Sequence, residues 1–226
     1  MQRRRLTSGT AGVWVPGLLA GVVRIRAHGA VWLWCDGKPY LMSRRAGLLG
    51  PITAQAVGAE DLEPGEWVEV RVSGTRVRGR PAPEPRRRAP VAMPRLEHEG
   101  VARLTRELGS GPLERIARDL AGLGPGLTPS GDDVLTGYML ARQASAPEAI
   151  AHEAATILDA MRTGSGEPAL SLAGWAAQGE SFAVVLDARD ALLGAHRPGA
   201  IERLVHLGSE SGRALLAGMA VGLAAG

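Results

Sequence analysis

Gly122–Leu140 reads GLGPGLTPSGDDVLTGYML, and its two halves obey different rules. Gly122, Gly124, Gly126 and Gly131, with Pro125 and Pro129, deny regular structure to the first half, because glycine frees φ and proline removes an N–H. From Val134 the composition turns apolar, and Leu135, Tyr138, Met139 and Leu140 make a run fit for a buried helix. Ser130 is the predicted N-cap, and Asp133 three residues on completes an S-x-x-[DE] start signal close to a capping box. A glycine-rich loop feeding a helix start aims free N–H groups and the positive dipole end at one point, which suits an anion. The plainer reading is a loop that merely starts a helix. Four glycines, two prolines, two hydroxyls and two carboxylates within twelve residues favour a functional site.

The end of the chain carries the same chemistry. Gly208-Ser209-Glu210-Ser211-Gly212 leads into RALLAGMAVGLAAG, where Ala214, Gly218 and Gly222 recur every four residues. Small residues at that spacing make a flat stripe that lets a second helix approach closely, so this element is predicted to be a buried central helix. Helical spacing also covers Leu96–Leu108 and Pro112–Leu123, the latter with Leu113, Ile116, Ala117 and Leu120 on one stripe. Pro147 starts another helix, with Ile150, Ala154, Ile157 and Leu158 facing inward. Further helices are expected at Ala169–Gln178, Ser181–Leu193 and Ala200–Leu207. Residues 95–226 therefore read as an all-α domain that carries both glycine-and-hydroxyl corners.

Two helix starts turned toward one cavity hold a dianion, such as a phosphate or dicarboxylate, without a lysine. The alternative is two independent caps that never meet. The candidate ligand-binding residues are Gly124, Gly126, Thr128, Ser130, Gly131, Ser209, Ser211 and Gly212. Asp132 and Asp133 are the candidate catalytic or metal-binding pair. Neighbouring helical positions diverge by about 100°, so one ligand does not readily meet both. A carboxylate facing an anion needs a bridging Mg²⁺, whereas a ligand with amide or urea N–H groups bonds a carboxylate directly. The sequence leaves both open. His206 is the one histidine close to either loop, and it reads as a helix-end residue rather than a base.

The first 80 residues favour strands. Val22–Ala27 and Ala30–Cys35 are rich in β-branched and aromatic residues, with His28-Gly29 as the turn between them. Asp36-Gly37 leads into Lys38–Met42 as a second hairpin, and Ile52–Val57 and Trp67–Val72 follow. Short strands with close turns predict a small antiparallel barrel or sandwich, with Trp14, Trp32, Trp34 and Trp67 as its core. The fold class is thus α+β: a β-rich domain over 1–80, a Pro/Arg-rich linker over 81–94, and the helical domain after it.

Composition narrows the partners. Of 226 residues, 45% are hydrophobic and 22% charged, with a formal charge of +3. That is a globular chain rather than a disordered one. One cysteine, Cys35, excludes an internal disulfide framework or a cysteine-cluster metal site and predicts a buried thiol in a reducing compartment. The arginine runs at Arg3–Arg5, Arg44–Arg45, Arg76–Arg80 and Arg86–Arg88 lack interleaved aromatics, which argues against nucleic acid. Arg3–Arg5 followed by Ala11–Val23 imitates a signal peptide, but Pro16 and three glycines break the apolar part. Ala214–Ala225 is too short to span a bilayer, which takes about 20 residues. A soluble, cytoplasmic protein is expected.

GLGPGLTPSGDDVLTGYMLA, together with GSESGRALLAGMAVGL near the end, closely resembles the AllH-like family. This is a bacterial family, one branch of which is assigned as a subunit of oxamate carbamoyltransferase in anaerobic allantoin use. With the β-like N-terminal part, the resemblance extends over most of the chain. It implies a small partner protein working beside an FdrA-like, acyl-CoA-synthetase-related subunit and a third subunit. The associated reaction moves a carbamoyl group between oxalurate or oxamate and carbamoyl phosphate. The family motif falls on Gly124, Gly126, Thr128, Ser130, Gly131, Asp132 and Asp133, and then on Gly208, Ser211 and Gly212. Arg162–Gly179 matches a middle motif loosely. Glu210 and Ala214 depart from the pattern, which commonly has Thr and Asp there. The Ser-x-Arg-Thr-Arg loop of ordinary carbamoyltransferases is absent, so the chain alone need not be a transferase. Two other readings stand beside this one. A Gly-Asp-Asp helix start resembles ADP-ribosylglycohydrolases, where carboxylates hold Mg²⁺ and activate water, although Asp159, Asp187 and Asp190 are scattered. A non-catalytic module could instead bind an acidic metabolite and report it to a partner.

Overall fold

Val68 and Val70 alternate with Glu69 and Arg71, and both valines point into the interior of a closed barrel. The computed structural model describes residues 3–12, 15–27, 30–45, 48–77, 81–83 and 92–225. Six strands form the barrel: β1 (Arg3–Gly12), β2 (Leu18–Ala27), β3 (Ala30–Cys35), β4 (Lys38–Ser43), β5 (Thr53–Ala56) and β6 (Trp67–Val77). Their order around the wall is β1-β5-β4-β3-β2-β6. Closure leaves no unpaired edge. Four seams are antiparallel, as expected, while β1–β6 and β4–β5 run parallel. Asp36 at φ 49° and Gly37 at φ 76° make the tight β3–β4 hairpin turn that the Asp-Gly pair predicts.

Two expectations for this unit are corrected. Arg3–Gly12, which received no strand of its own within the strand-favouring first 80 residues, is strand β1, and its backbone is paired on both sides by β5 and β6. Arginines, Ser8 and Gly9 give it little intrinsic β preference, so the neighbouring strands decide its conformation. Arg4 and Arg5 reach Glu66 and Glu69 at 3.9 Å on the outside. The barrel core is aliphatic rather than aromatic: Leu19, Val23, Leu33, Met42, Leu62 and Val70 fill it, with Cys35 buried among them. A small barrel has room only for side chains of that size. Trp32 and Trp34 are buried as expected, but at the alternate positions of β3 rather than among these residues, and the Arg24 guanidinium lies 5.1 Å from the Trp34 ring centre. Trp67 is half-buried. Trp14, the His28-Gly29 turn and the Arg86–Arg88 run lie outside the described residues.

By contacts the chain forms two compact units. One is Met1–Arg80 with Ser181–Ala183; the other is Pro81–Glu180 with Val184–Gly226. The second contains α1 (Glu99–Glu107), α2 (Leu113–Leu120), α3 (Ser130–Ser145), α4 (Ile150–Gly164), α5 (Glu167–Ala176), most of α6 (Ala183–Leu192), α7 (Ala200–Val205) and α8 (Ser211–Ala224). Among the described residues no helix is long and apolar enough to cross a membrane. Ile116, Ala117 and Leu120 are fully buried, as the α2 stripe predicts. The α3 helix is buried on every side from Ser130 to Arg142 and packs on α8.

That packing rests on glycine. A Cβ built at Gly137 would lie 2.1 Å from the Leu215 carbonyl oxygen, and one at Gly218 would lie 2.0 Å from that of Val134. The two contacts are reciprocal, since Val134 and Gly137 stand to α3 as Leu215 and Gly218 stand to α8. The preceding turns correspond as well. Gly131 N–H donates to Leu123 O and Gly212 N–H to Leu207 O, both at 2.9 Å. A Cβ at Gly131 would strike Leu120 O, and one at Gly212 would strike Leu204 O. The segments around α2–α3 and α7–α8 are therefore related as by a local two-fold axis.

One buried ion pair joins two helices of this core. Arg142 on α3 makes a bidentate bond to Glu153 on α4, at 2.9 and 2.8 Å. Burial, then the Glu153 charge, pushes the Tyr138 hydroxyl up to about 12. Glu153→Ala strands a buried guanidinium and is expected to cost about 2 kcal/mol in urea unfolding. Replacing Arg142 by Met in the same chain should restore part of that loss.

Candidate functional site

The α3 and α8 helices begin in the same way, and α3 begins one residue earlier than the sequence suggests. Ser130 and Ser211 are the first helical residues, while Pro129 and Glu210 hold the cap positions, and neither cap side chain bonds its own helix. The predicted N-cap role of Ser130 is corrected accordingly. Proline takes the extended conformation a cap needs, and the displaced serine hydroxyl is used elsewhere. Ser130 Oγ donates to Glu210 Oε2 of the other corner at 2.6 Å. Thr128 Oγ1 and Ser211 Oγ lie 3.4 Å apart. The two corners meet.

Three carboxylates lie at or beside this junction, and their surroundings differ. Asp133 is 5% exposed. Burial holds its carboxyl well above the usual carboxylate range; the Ser211 hydroxyl pulls the other way, Asp132 adds to the rise, and Thr128 pulls down again. Its Oδ2 is buried without a hydrogen-bond partner. The Oδ2 of Asp132 is likewise buried without a partner, but this side chain turns away from Thr128 and Ser211, its Oδ1 accepting from Gly122 N–H and from Ser165 Oγ, both at 2.7 Å. It ties the glycine loop to the end of α4, and burial raises its pKa more than those two donors lower it. Glu210 is pushed up by burial, but the Ser130 hydroxyl, the Glu97 and His98 backbone and Arg213 outweigh it, leaving the carboxyl below its ordinary range.

These shifts have opposite signs in stability. Asp133 stabilises the fold fully only below the ordinary carboxylate value of 3.8, and that contribution is lost as pH rises through its raised folded value. Glu210 contributes above its ordinary value and loses the contribution as pH falls through its lowered one. Asp133→Asn should therefore gain thermal midpoint relative to the unsubstituted chain as pH is raised, measured by calorimetry across the acid-to-neutral range.

The remaining candidates separate into rim and framework. Gly126 and Ser209 are exposed, and Thr128 and Ser211 are half-buried beside them. Gly124, at φ 112°, faces Ser130, and a Cβ there would lie 3.1 Å from the Ser130 N atom. Gly131 and Gly212 spend their N–H groups inside the protein, so their part is close packing rather than ligand donation. Asp132 and Asp133 do not converge on one point, and among the described residues no group of three or more His, Cys, Asp or Glu could hold a metal ion. Asp159, Asp187 and Asp190 face arginines instead: Arg162, Arg197 and Arg189. His206 ends α7, with Nδ1 2.8 Å from Glu202 O, as a helix-end residue does.

Sequence reasoning missed Glu210 and Ser165 as members of the site. Glu210 stood out only as a departure from the family pattern, and Ser165 only as part of the loosely matching Arg162–Gly179 segment. A groove of about 1050 Å³ lies by α1 and the start of α8, lined by Arg95, Arg103, Arg106, Arg213, Glu97 and Glu99 among others. It shares with the corner Glu97, whose N–H donates to Glu210, and Arg213, which bonds Glu97 Oε1 at 2.6 Å.

Set against known protein families, residues 120–223 match the family described as oxamate carbamoyltransferase subunit AllH. The match runs from the last residue of α2 to the penultimate residue of α8, so it takes in both corners and stops short of the barrel. Its reach is narrower than the resemblance over most of the chain that the sequence suggests. Comparisons with curated proteins and with solved structures give no match. Over those residues, the helical unit is similar to the AllH family.

Proposed function

We propose that this chain is a subunit of an oxamate carbamoyltransferase-like complex and that it holds a small acidic metabolite of the oxamate, oxalurate or carbamoyl phosphate type at the paired corners. The observation that carries this reading is the meeting of Thr128 with Ser211 and of Ser130 with Glu210 across the two helix starts. The hydroxyls of Thr128, Ser130 and Ser211 orient the ligand. Loop N–H groups between Gly124 and Thr128 and around Ser209 hold its oxygens, where the two dipole ends favour developing oxyanion charge. Asp133, whose Oδ2 lacks a partner, accepts from the amide N–H. Of the two aspartates, Asp133 faces the ligand and Asp132 fixes the loop. If Mg²⁺ serves this chemistry it comes with the phosphate-bearing substrate, since the residues at the corner do not form a metal cage.

The partners are an FdrA-like subunit and a third subunit, and the chain is inactive alone. The test is reconstitution: carbamoyl phosphate formation from oxalurate and phosphate should require this chain together with the FdrA-like protein. Full activity of the other subunits without it would refute the reading. A second reading has one specific observation behind it: Ser130 and Glu210 are buried and satisfy each other, as in a latch between helices. On that view the corners only join the two halves of the unit, and no metabolite changes the thermal midpoint.

A further inference from the structure

The convergence of two helix starts would ordinarily favour an anion, yet the space between these two is already furnished with acid. Glu210 stands at the cap of α8 and accepts from Ser130 of α3. Asp133 lies beneath Thr128 and Ser211, more than nine-tenths buried, with an acceptor oxygen that has no donor. An unpaired buried acceptor is costly, and an arriving N–H group relieves it whereas an arriving carboxylate or phosphate adds repulsion. Resting on the metabolite-binding reading above, we infer that the ligand enters between α3 and α8 by an uncharged N–H-bearing end, a carboxamide or carbamoyl group, and that Glu210 keeps anionic ends and free phosphate out. The Thr128 and Ser211 hydroxyls are the polar neighbours of the Asp133 carboxyl. The two hydroxyls are 3.4 Å apart, a separation at the loose limit of a hydrogen bond, so a donor of amide size can part them. The carboxylate end of the ligand then stays at the rim, against Gly126 and Ser209, which are exposed. Glu210 is a specificity residue on this account, and it replaces with charge what a neutral cap residue would leave to the dipole.

Calorimetric titration of the full chain with oxamate, oxalate and inorganic phosphate tests this, because oxalate differs from oxamate in having a carboxylate for the amide. Oxamate should bind at least about tenfold tighter than either other probe, a gap of one charge-assisted hydrogen bond. Glu210→Gln should raise oxalate and phosphate affinity about tenfold and leave oxamate the least changed. Glu210→Thr provides the same comparison if the glutamine variant folds poorly. Equal binding of oxalate and oxamate by the unsubstituted chain, or an unchanged ranking in both variants, overturns the inference while leaving a metabolite site in place. Failure of all three probes to bind, with the FdrA-like subunit present, removes the metabolite site and the inference with it.

Discussion

Gly218→Val should strongly destabilise the helical unit. The new Cβ would lie 2.0 Å from Val134 O, 2.8 Å from Val134 C and 2.9 Å from Tyr138 N, all of them backbone atoms of α3. A flexible side chain could move aside, but a helix backbone at the centre of the unit has to shift as a body. Overpacking in a core costs about 1–3 kcal/mol and occasionally more, and this position belongs at the upper end. For a chain of this size about 3 kcal/mol lowers the thermal midpoint by roughly 6–12 °C. Gly137→Val should behave alike, because its Cβ would meet Leu215 O at 2.1 Å. Gly174 on α5 is the control: a Cβ there meets nothing within 4 Å, so Gly174→Ala should be neutral or stabilise by about 0.5–1 kcal/mol. If Gly218→Val melted like the control, the close α3–α8 approach would be wrong.

The second large effect is expected at the adjacent aspartates, in opposite currencies. Asp133→Asn keeps the shape and removes the charge, so transfer activity in the reconstituted complex should fall about 10- to 100-fold with the neutral-pH midpoint held or raised. Asp132→Ala should do the reverse. It deprives Gly122 N–H and Ser165 Oγ of their acceptor, costing about 1.5–3 kcal/mol of stability, while oxamate affinity in the surviving folded protein changes little. Denaturation and titration of the same two variants separate the roles. Loss of stability at Asp133 and loss of binding at Asp132 would invert the assignment.

Much of this fold was legible because burial leaves a period in the sequence. Val68 and Val70 read as inward-facing and are; Ile116, Ala117 and Leu120 read as one stripe and form one. Ala214, Gly218 and Gly222 marked α8 as a helix approached closely, and each is buried. What failed to show lacked a local cause. Strand β1 owes its conformation to pairing with β5 and β6, not to its arginines. Trp32 and Trp34 are buried, but alternation with Leu33 and Cys35 puts them on the other face of β3 from the barrel interior. Ser130 reads as a cap from its S-x-x-[DE] spacing, but the partner that draws its hydroxyl away, Glu210, is distant in the chain.

The candidate site was legible in its chemistry but not its symmetry. Leu-x-x-Leu-Gly and Ser-Gly occur in both segments, at Leu120–Gly124 with Ser130-Gly131 and at Leu204–Gly208 with Ser211-Gly212. The loops between glycine and serine differ in length, which hides the repeat from any fixed period. Three-dimensional reciprocity at Gly137 and Gly218 is what reveals it.

Joining the two corners covalently tests their convergence most directly. In a Thr128→Cys, Ser211→Cys chain, with the buried Cys35 replaced by Ala, mild oxidation should link the two thiols. The intact mass should fall by two hydrogens, and oxamate should slow the reaction by lying between the thiols. Two cysteines that stay fully open to alkylation under the same oxidant would contradict the account.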